Sequence, residues 1–185
     1  EEMIRCGAHT FIRIGTSGGI DLKVAGGDLC IASGAVRAEG TSKEYIPAEY
    51  PAVADFDVVC ALRDSAAELS ADADGNRYHV GVVQSKDSFY GEIEPEKMPV
   101  ANELTGRWKA YVSCGCLTSE MECAALFSVA IARHVRAGGV LTALWNVERS
   151  NAGLPDPVCH STERGIKCAV GAIKRLIEMD RKNGI

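Results

Sequence analysis

Short apolar runs alternate with segments of helical period along the whole chain, and this alternation restricts the fold more than any other feature. The runs are Thr10–Ile14, Leu29–Ser33, Tyr78–Ser85 and Val140–Asn146. Each has strand length, and Val80, Val82 and Val83 show the β-branched content expected of a strand. Between them, Asp55–Ser70 carries Val59, Leu62, Ala66 and Leu69 at helix spacing. The same reasoning predicts a helix from near Val100, another over Glu120–Arg133, and a last one where Ile166, Val170, Ile173 and Ile177 form one stripe. Ser161 is the expected cap of that last helix. Strands alternating with helices imply an α/β fold with a largely parallel or mixed sheet.

The connecting stretches are read as loops. Arg37–Pro51 is polar and Pro-punctuated, ADADGN at 71–76 is a turn, Lys86–Pro99 is a long polar loop, and Val147–His160 is another loop. A loop as long as Lys86–Pro99 in a domain of this size points to function. Glu1–Cys6 reads as the last turns of a helix closed by Gly7. That start, with no methionine, raises the expectation of a longer polypeptide upstream.

Composition narrows the class. At 185 residues one domain is expected, and 46% hydrophobic residues suffice for a core. A formal net charge of −5 argues against a nucleic-acid partner, which needs a basic face. No apolar run has the length of a membrane span, so no membrane partner is expected. The cysteines, Cys6, Cys30, Cys60, Cys114, Cys116, Cys123, Cys159 and Cys168, form no C-x-x-C pair. They read as reduced, mostly buried thiols of a cytoplasmic protein, and no metal site is expected.

Chemistry concentrates in a few segments. In FIRIGTSGGI, residues 11–20, Arg13 lies inside an apolar strand that ends in Thr16, Ser17, Gly18 and Gly19. Ligands of such sheets sit outside the carboxyl ends of strands. A guanidinium there can grip phosphate through two parallel hydrogen bonds, and glycines let a ligand approach the backbone. A tight strand-to-loop turn with a snorkelling arginine has the same pattern, and spacing alone leaves both open. In SEMECAALF, residues 119–127, Glu120 and Glu122 flank Met121 at an expected helix start. A helix N-terminus favours carboxylates, and a sugar diol needs acceptors of this kind too. In SKDSFYGE, residues 85–92, Phe89 or Tyr90 can stack on a planar ring, and Lys86 can stabilise a developing anion. Leu144, Trp145 and Asn146 close a buried strand.

These segments, with AEYPAVADF at 48–56 and DSFYG at 87–91, appear in the order and at the intervals of the nucleoside phosphorylase-I family, and resemble its uridine phosphorylases most. The resemblance implies a three-layer phosphorylase/hydrolase-like α/β fold with a central mixed sheet. Residues 1–185 would be the C-terminal portion of one nucleoside phosphorylase domain, without its N-terminal strands and phosphate loop. A sheet edge or face would then be left bare.

Family members cleave a nucleoside with inorganic phosphate to a pentose 1-phosphate and a free base, here expected to be ribose 1-phosphate and uracil. Carried over by position, Arg13 and Thr16 bind phosphate, and Thr16, Glu120, Met121 and Glu122 face the ribose. Ser17, Gly18, Phe89, Leu144 and Trp145 line the base pocket. Arg13, Glu122 and Lys86 are the expected catalytic residues. No cofactor is implied, phosphate being a co-substrate, and the resemblance implies a homo-oligomer, a hexamer built from dimers. Hexameric purine phosphorylases carry an aspartate at the place of Asn146, and an asparagine cannot supply its proton.

The resemblance breaks where uridine phosphorylases read uracil with a glutamine and an arginine two apart. Here the loop runs Gly91, Glu92, Ile93, Glu94, Pro95, leaving Lys86 or Glu92 for that task. A 6-oxopurine phosphorylase, a nucleosidase using water, and a non-catalytic nucleoside-binding fragment are the competing readings. Arg13 speaks against the nucleosidase, since an arginine suits an anion better than a water.

Overall fold

The computed structural model describes residues 1–71 and 77–184. Most of the turn expected at 71–76 lies outside them. A short helix α1 (Glu2–Arg5) ends at Cys6, and Gly7 follows with φ of +94°. Strand β1 (Thr10–Gly19) runs parallel to β6 (Arg136–Asn146), and β2 (Leu29–Ala38) runs parallel to β4 (Tyr78–Lys86). Short β5 (Thr118–Glu120) bridges the ends of β1 and β4, antiparallel to the first and parallel to the second. Antiparallel pairing of β2 with β6 closes the sheet into a ring, and β3 (Ala52–Val53) hangs on the outside of β2. The sheet is therefore mixed, with helices on both of its faces.

Alternation along the strands sorts the core into two layers. Leu29, Ile31 and Val140 face helices α2 (Phe56–Ala71) and α7 (Glu163–Asn183), meeting Val58, Leu62, Ala66, Cys168, Ala169 and Leu176. Cys30, Ala32, Leu141 and Ala143 face the other way and meet Cys123, Ala124 and Phe127 of α5 (Cys123–Arg133). Phe127 is fully buried, which contributes on the order of 2 kcal/mol by transfer alone. Close approach of α2 requires Gly138, where a Cβ would stand 2.4 Å from Val58 Cγ1.

Several expectations change. The α7 stripe of Ile166, Val170, Ile173 and Ile177 is exposed, because the helix packs through its small residues Gly165, Cys168, Ala169 and Ala172. Thr162, not Ser161, precedes α7, and Ser161 Oγ lies 3.4 Å from the Glu163 N–H. Glu120 belongs to β5 and not to a helix, since α5 starts at Cys123. The loop after β4 carries α3 (Phe89–Ile93), capped by Ser88, and leads to α4 (Ala101–Ser113). The loop after β6 opens with α6 (Val147–Asn151).

Among the described residues, β4 meets β5 only at Gln84 and Ser85, and β1 meets β5 only at Gly18 and Gly19. Ile14, Val80 and Val82 are exposed beside these open stretches. No helix among the described residues is long and apolar enough to cross a membrane. The cysteines of the chain are all free thiols.

Candidate active site

Arg13 extends from the middle of β1 toward the turn between β5 and α5. Its Nε donates to Glu120 Oε2 at 3.0 Å, and its Nη2 is paired with Glu122 Oε2. Glu120 is wholly buried and accepts further from the Ser85 hydroxyl and from the backbone N–H groups of Glu122 and Cys123, the last at 3.0 Å. Burial pushes its carboxyl up, but these hydrogen bonds and Arg13 hold it below the ordinary value. Burial likewise opposes the charge on Arg13, but the Glu120 hydrogen bond and the neighbouring negative charges, Glu120 and Glu122 among them, together outweigh it and raise the guanidinium further. Nη1 of Arg13 has no protein partner among the described residues and lies over Gly15, where a Cβ would be 2.6 Å away. A glycine there leaves room for the guanidinium to lie against the strand.

Glu122 differs from Glu120 in access. Its side chain is 59% exposed and, with Met121, borders a cavity of about 800 Å³. Thr16, Ser17, Gly18, Lys86, Phe89, Leu144 and Trp145 border the same cavity, as do Arg13 and Glu120. The segments that sequence reasoning singled out thus converge on one concave surface at the carboxyl ends of β1, β4 and β6. Ser17 Oγ is buried there with no hydrogen-bond partner among the described residues.

Lys86 is nearly buried, unlike a free loop lysine. Its ammonium donates to Ser119 Oγ at 2.6 Å and pairs with Glu92 at 3.0 Å. Phe89 stands 6.0 Å from that ammonium and meets Tyr90 edge to face at 5.6 Å. Tyr90 is exposed and lies outside the cavity lining, so Phe89 is the ring available for stacking.

Asn146 is turned away from the cavity. It is fully buried, donates to the carbonyls of Asp21 and Val24 at 2.8 Å, and accepts from the N–H groups of Glu148 and Arg149. It caps α6 and ties the end of β6 to the loop after β1.

Sequence reasoning missed the wall made by α4. Leu104, Trp108 and Tyr111 line the cavity, and Trp108 Nε1 donates to Glu148 Oε1 at 2.6 Å, joining α4 to α6. The signal was present: these residues recur at i, i+4 and i+7, yet α4 has no buried residue. Its apolar stripe faces an open cavity in place of the core.

A family model of the phosphorylase superfamily matches residues 1–174. The chain belongs to the phosphorylase superfamily. Among superfamily relatives, a uridine phosphorylase from Treponema pallidum is 50% identical over 97% of this chain and 68% of its own length. A uridine phosphorylase from Thermococcus kodakarensis is 40% identical over 79% of the chain and 52% of its own length. A guanosine phosphorylase from Halorubrum lacusprofundi is 33% identical over 95% of the chain and 69% of its own length. The chain thus spans between about half and two thirds of the length of these superfamily relatives.

Proposed function

We propose that the cavity is a nucleoside site and that the chain works in the phosphorolysis of uridine. The observation that carries this is Arg13, locked by Glu120 on the wall of the same cavity that Thr16 borders. A fixed cation next to a hydroxyl suits a phosphate oxyanion. A phosphate oxygen bonds to the anomeric carbon, the carbon–nitrogen bond breaks, and its electron pair leaves with the base. The base then takes a proton from solvent, giving uracil and ribose 1-phosphate.

In this reading Glu122 accepts from the ribose hydroxyls, Met121 lies against the sugar, and Glu120 stands beneath both as the support of Arg13. Phe89, Leu144, Trp145, Ser17 and Gly18 enclose the base. Lys86 donates toward the base oxygen on which charge accumulates as the bond breaks. Names of the superfamily relatives support uridine, with guanosine as the second substrate to test. The reading treats the chain as one nucleoside phosphorylase domain needing no cofactor, cytoplasmic, and assembled as a hexamer of dimers. Light scattering in solution tests the assembly.

The deciding experiment follows uridine cleavage with and without inorganic phosphate. Cleavage that needs phosphate and yields ribose 1-phosphate is the expected result. Cleavage that continues in its absence identifies a nucleosidase, and uridine binding with no turnover identifies a binding fragment.

A further inference from the structure

Glu92 borders the cavity and is fixed on two sides. Oε1 lies 3.0 Å from Lys86 Nζ, and Oε2 lies 2.8 Å from Ser119 Oγ. The two side chains are only 15% and 10% exposed, so their positions are set by one another and not by solvent. Ser119 Oγ also receives Lys86 Nζ at 2.6 Å and touches Gln84. One hydroxyl proton cannot serve two acceptors. The contacts balance when the Gln84 amide turns its N–H groups to Ser119: the hydroxyl then accepts from Lys86 and Gln84 and donates to Glu92.

After that accounting, Glu92 keeps unused lone pairs and Lys86 keeps one unused N–H. An acceptor and a donor stand side by side, 3.0 Å apart, in the order that complements the adjacent N–H and C=O of a lactam edge. Burial makes each costly to leave unmatched. We propose that Glu92 and Lys86 together read the base: Glu92 accepts from a ring N–H, and Lys86 donates to the carbonyl beside it. This rests on the nucleoside phosphorylase reading and adds to it the specificity-determining pair. Uracil and 6-oxopurines carry such an edge. Cytosine and adenine do not, because they present a ring lone pair to the Glu92 carboxylate and an amine to the Lys86 ammonium. The chain therefore selects oxo-bases through an ion pair.

The test compares uridine, 3-methyluridine and cytidine as substrates of the full chain in saturating phosphate. The expected kcat/KM for uridine exceeds the other two by about 100-fold, the scale set by a buried polar group left unmatched. Glu92→Gln and Glu92→Ala lower uridine turnover about 10-fold to 100-fold while 3-methyluridine barely changes, so the ratio collapses. The KM for phosphate stays put, which shows that the rest of the site is folded. Equal use of uridine and 3-methyluridine by the unmodified chain overturns the proposal. So does an unchanged ratio in both variants, and either result leaves the phosphorylase reading standing. If no nucleoside is cleaved, that reading fails, and calorimetry with uracil and 3-methyluracil then decides base reading alone. Uracil binding that is lost on N-methylation supports it, and equal or absent binding overturns it.

Discussion

Arg13 Nε and Glu120 Oε2 meet at 3.0 Å across 107 residues of sequence, and the carboxylate has no exposed surface. The pair joins β1 to β5, and loss of Glu120 leaves the largely buried Arg13 with only the exposed Glu122 as its carboxylate partner. Glu120→Ala is expected to destabilise the chain by on the order of 3 kcal/mol. Urea denaturation checks this, with wild-type stability the outcome against it. Arg13→Lys keeps the charge but loses the planar fork. It is expected to raise the KM for phosphate at least 10-fold, with a smaller effect on the KM for uridine.

Glu122 makes the opposite prediction. It is largely exposed, and Arg13 is its ion-pair partner. Glu122→Gln should leave stability within about 0.5 kcal/mol of wild type. Its cost should appear in catalysis, at about 10-fold or more in kcat/KM for uridine, and be much smaller for 2′-deoxyuridine. Parallel kinetics on the two substrates measure this. Equal losses on both remove Glu122 from the sugar diol.

The depressed Glu120 carboxyl has a consequence for pH. Its folded value lies below the ordinary 4.5. The stability it contributes is fully present above about pH 4.5 and is lost as pH falls through the folded value, because protonation then favours the unfolded chain. Asp28 adds to the same slope. Burial raises its carboxyl, but His79 and the N–H groups of Ala25 and Arg77 hold it below the ordinary 3.8. Urea midpoints measured from about pH 7 down to about pH 3 are expected to fall in the acid limb. Glu120→Gln should flatten that limb, and an unchanged limb refutes the assignment.

Much of this architecture was readable from periodicity. Val59, Leu62, Ala66 and Leu69 marked α2 to within a residue at each end, and the apolar runs marked β1, β2, β4 and β6. Strand ends were underestimated, because Gly15 to Gly19 lack the apolar side chains by which strands are recognised, and Gly34 to Ala38 offer only Val36 as a large apolar residue. β5 escaped notice because Thr118, Ser119 and Glu120 are polar: Ser119 and Glu120 are buried with side chains bonded to Lys86, Ser85 and Arg13, and Thr118 Oγ1 is buried with no partner among the described residues. The α7 stripe misled for a related reason: periodicity finds an apolar face but cannot say that a neighbouring face of small residues packs more closely. At the site, sequence order carried Arg13 and Glu122. It could not reveal that Lys86 is neutralised by Glu92, which depends on α3 folding back against β5.

Asn146 provides the last prediction. Its amide donates to two backbone carbonyls and its oxygen accepts from two N–H groups, so donor and acceptor are both required. Asn146→Asp places a carboxylate oxygen against the carbonyls of Asp21 and Val24, with no exposed surface to relieve the repulsion. The expected cost is about 2 kcal/mol, read from urea denaturation. The aspartate points away from the cavity, so it should also give no gain in adenosine cleavage. A stable variant that cleaves adenosine faster than wild type would show that residue 146 turns toward the base, against the capping role described here.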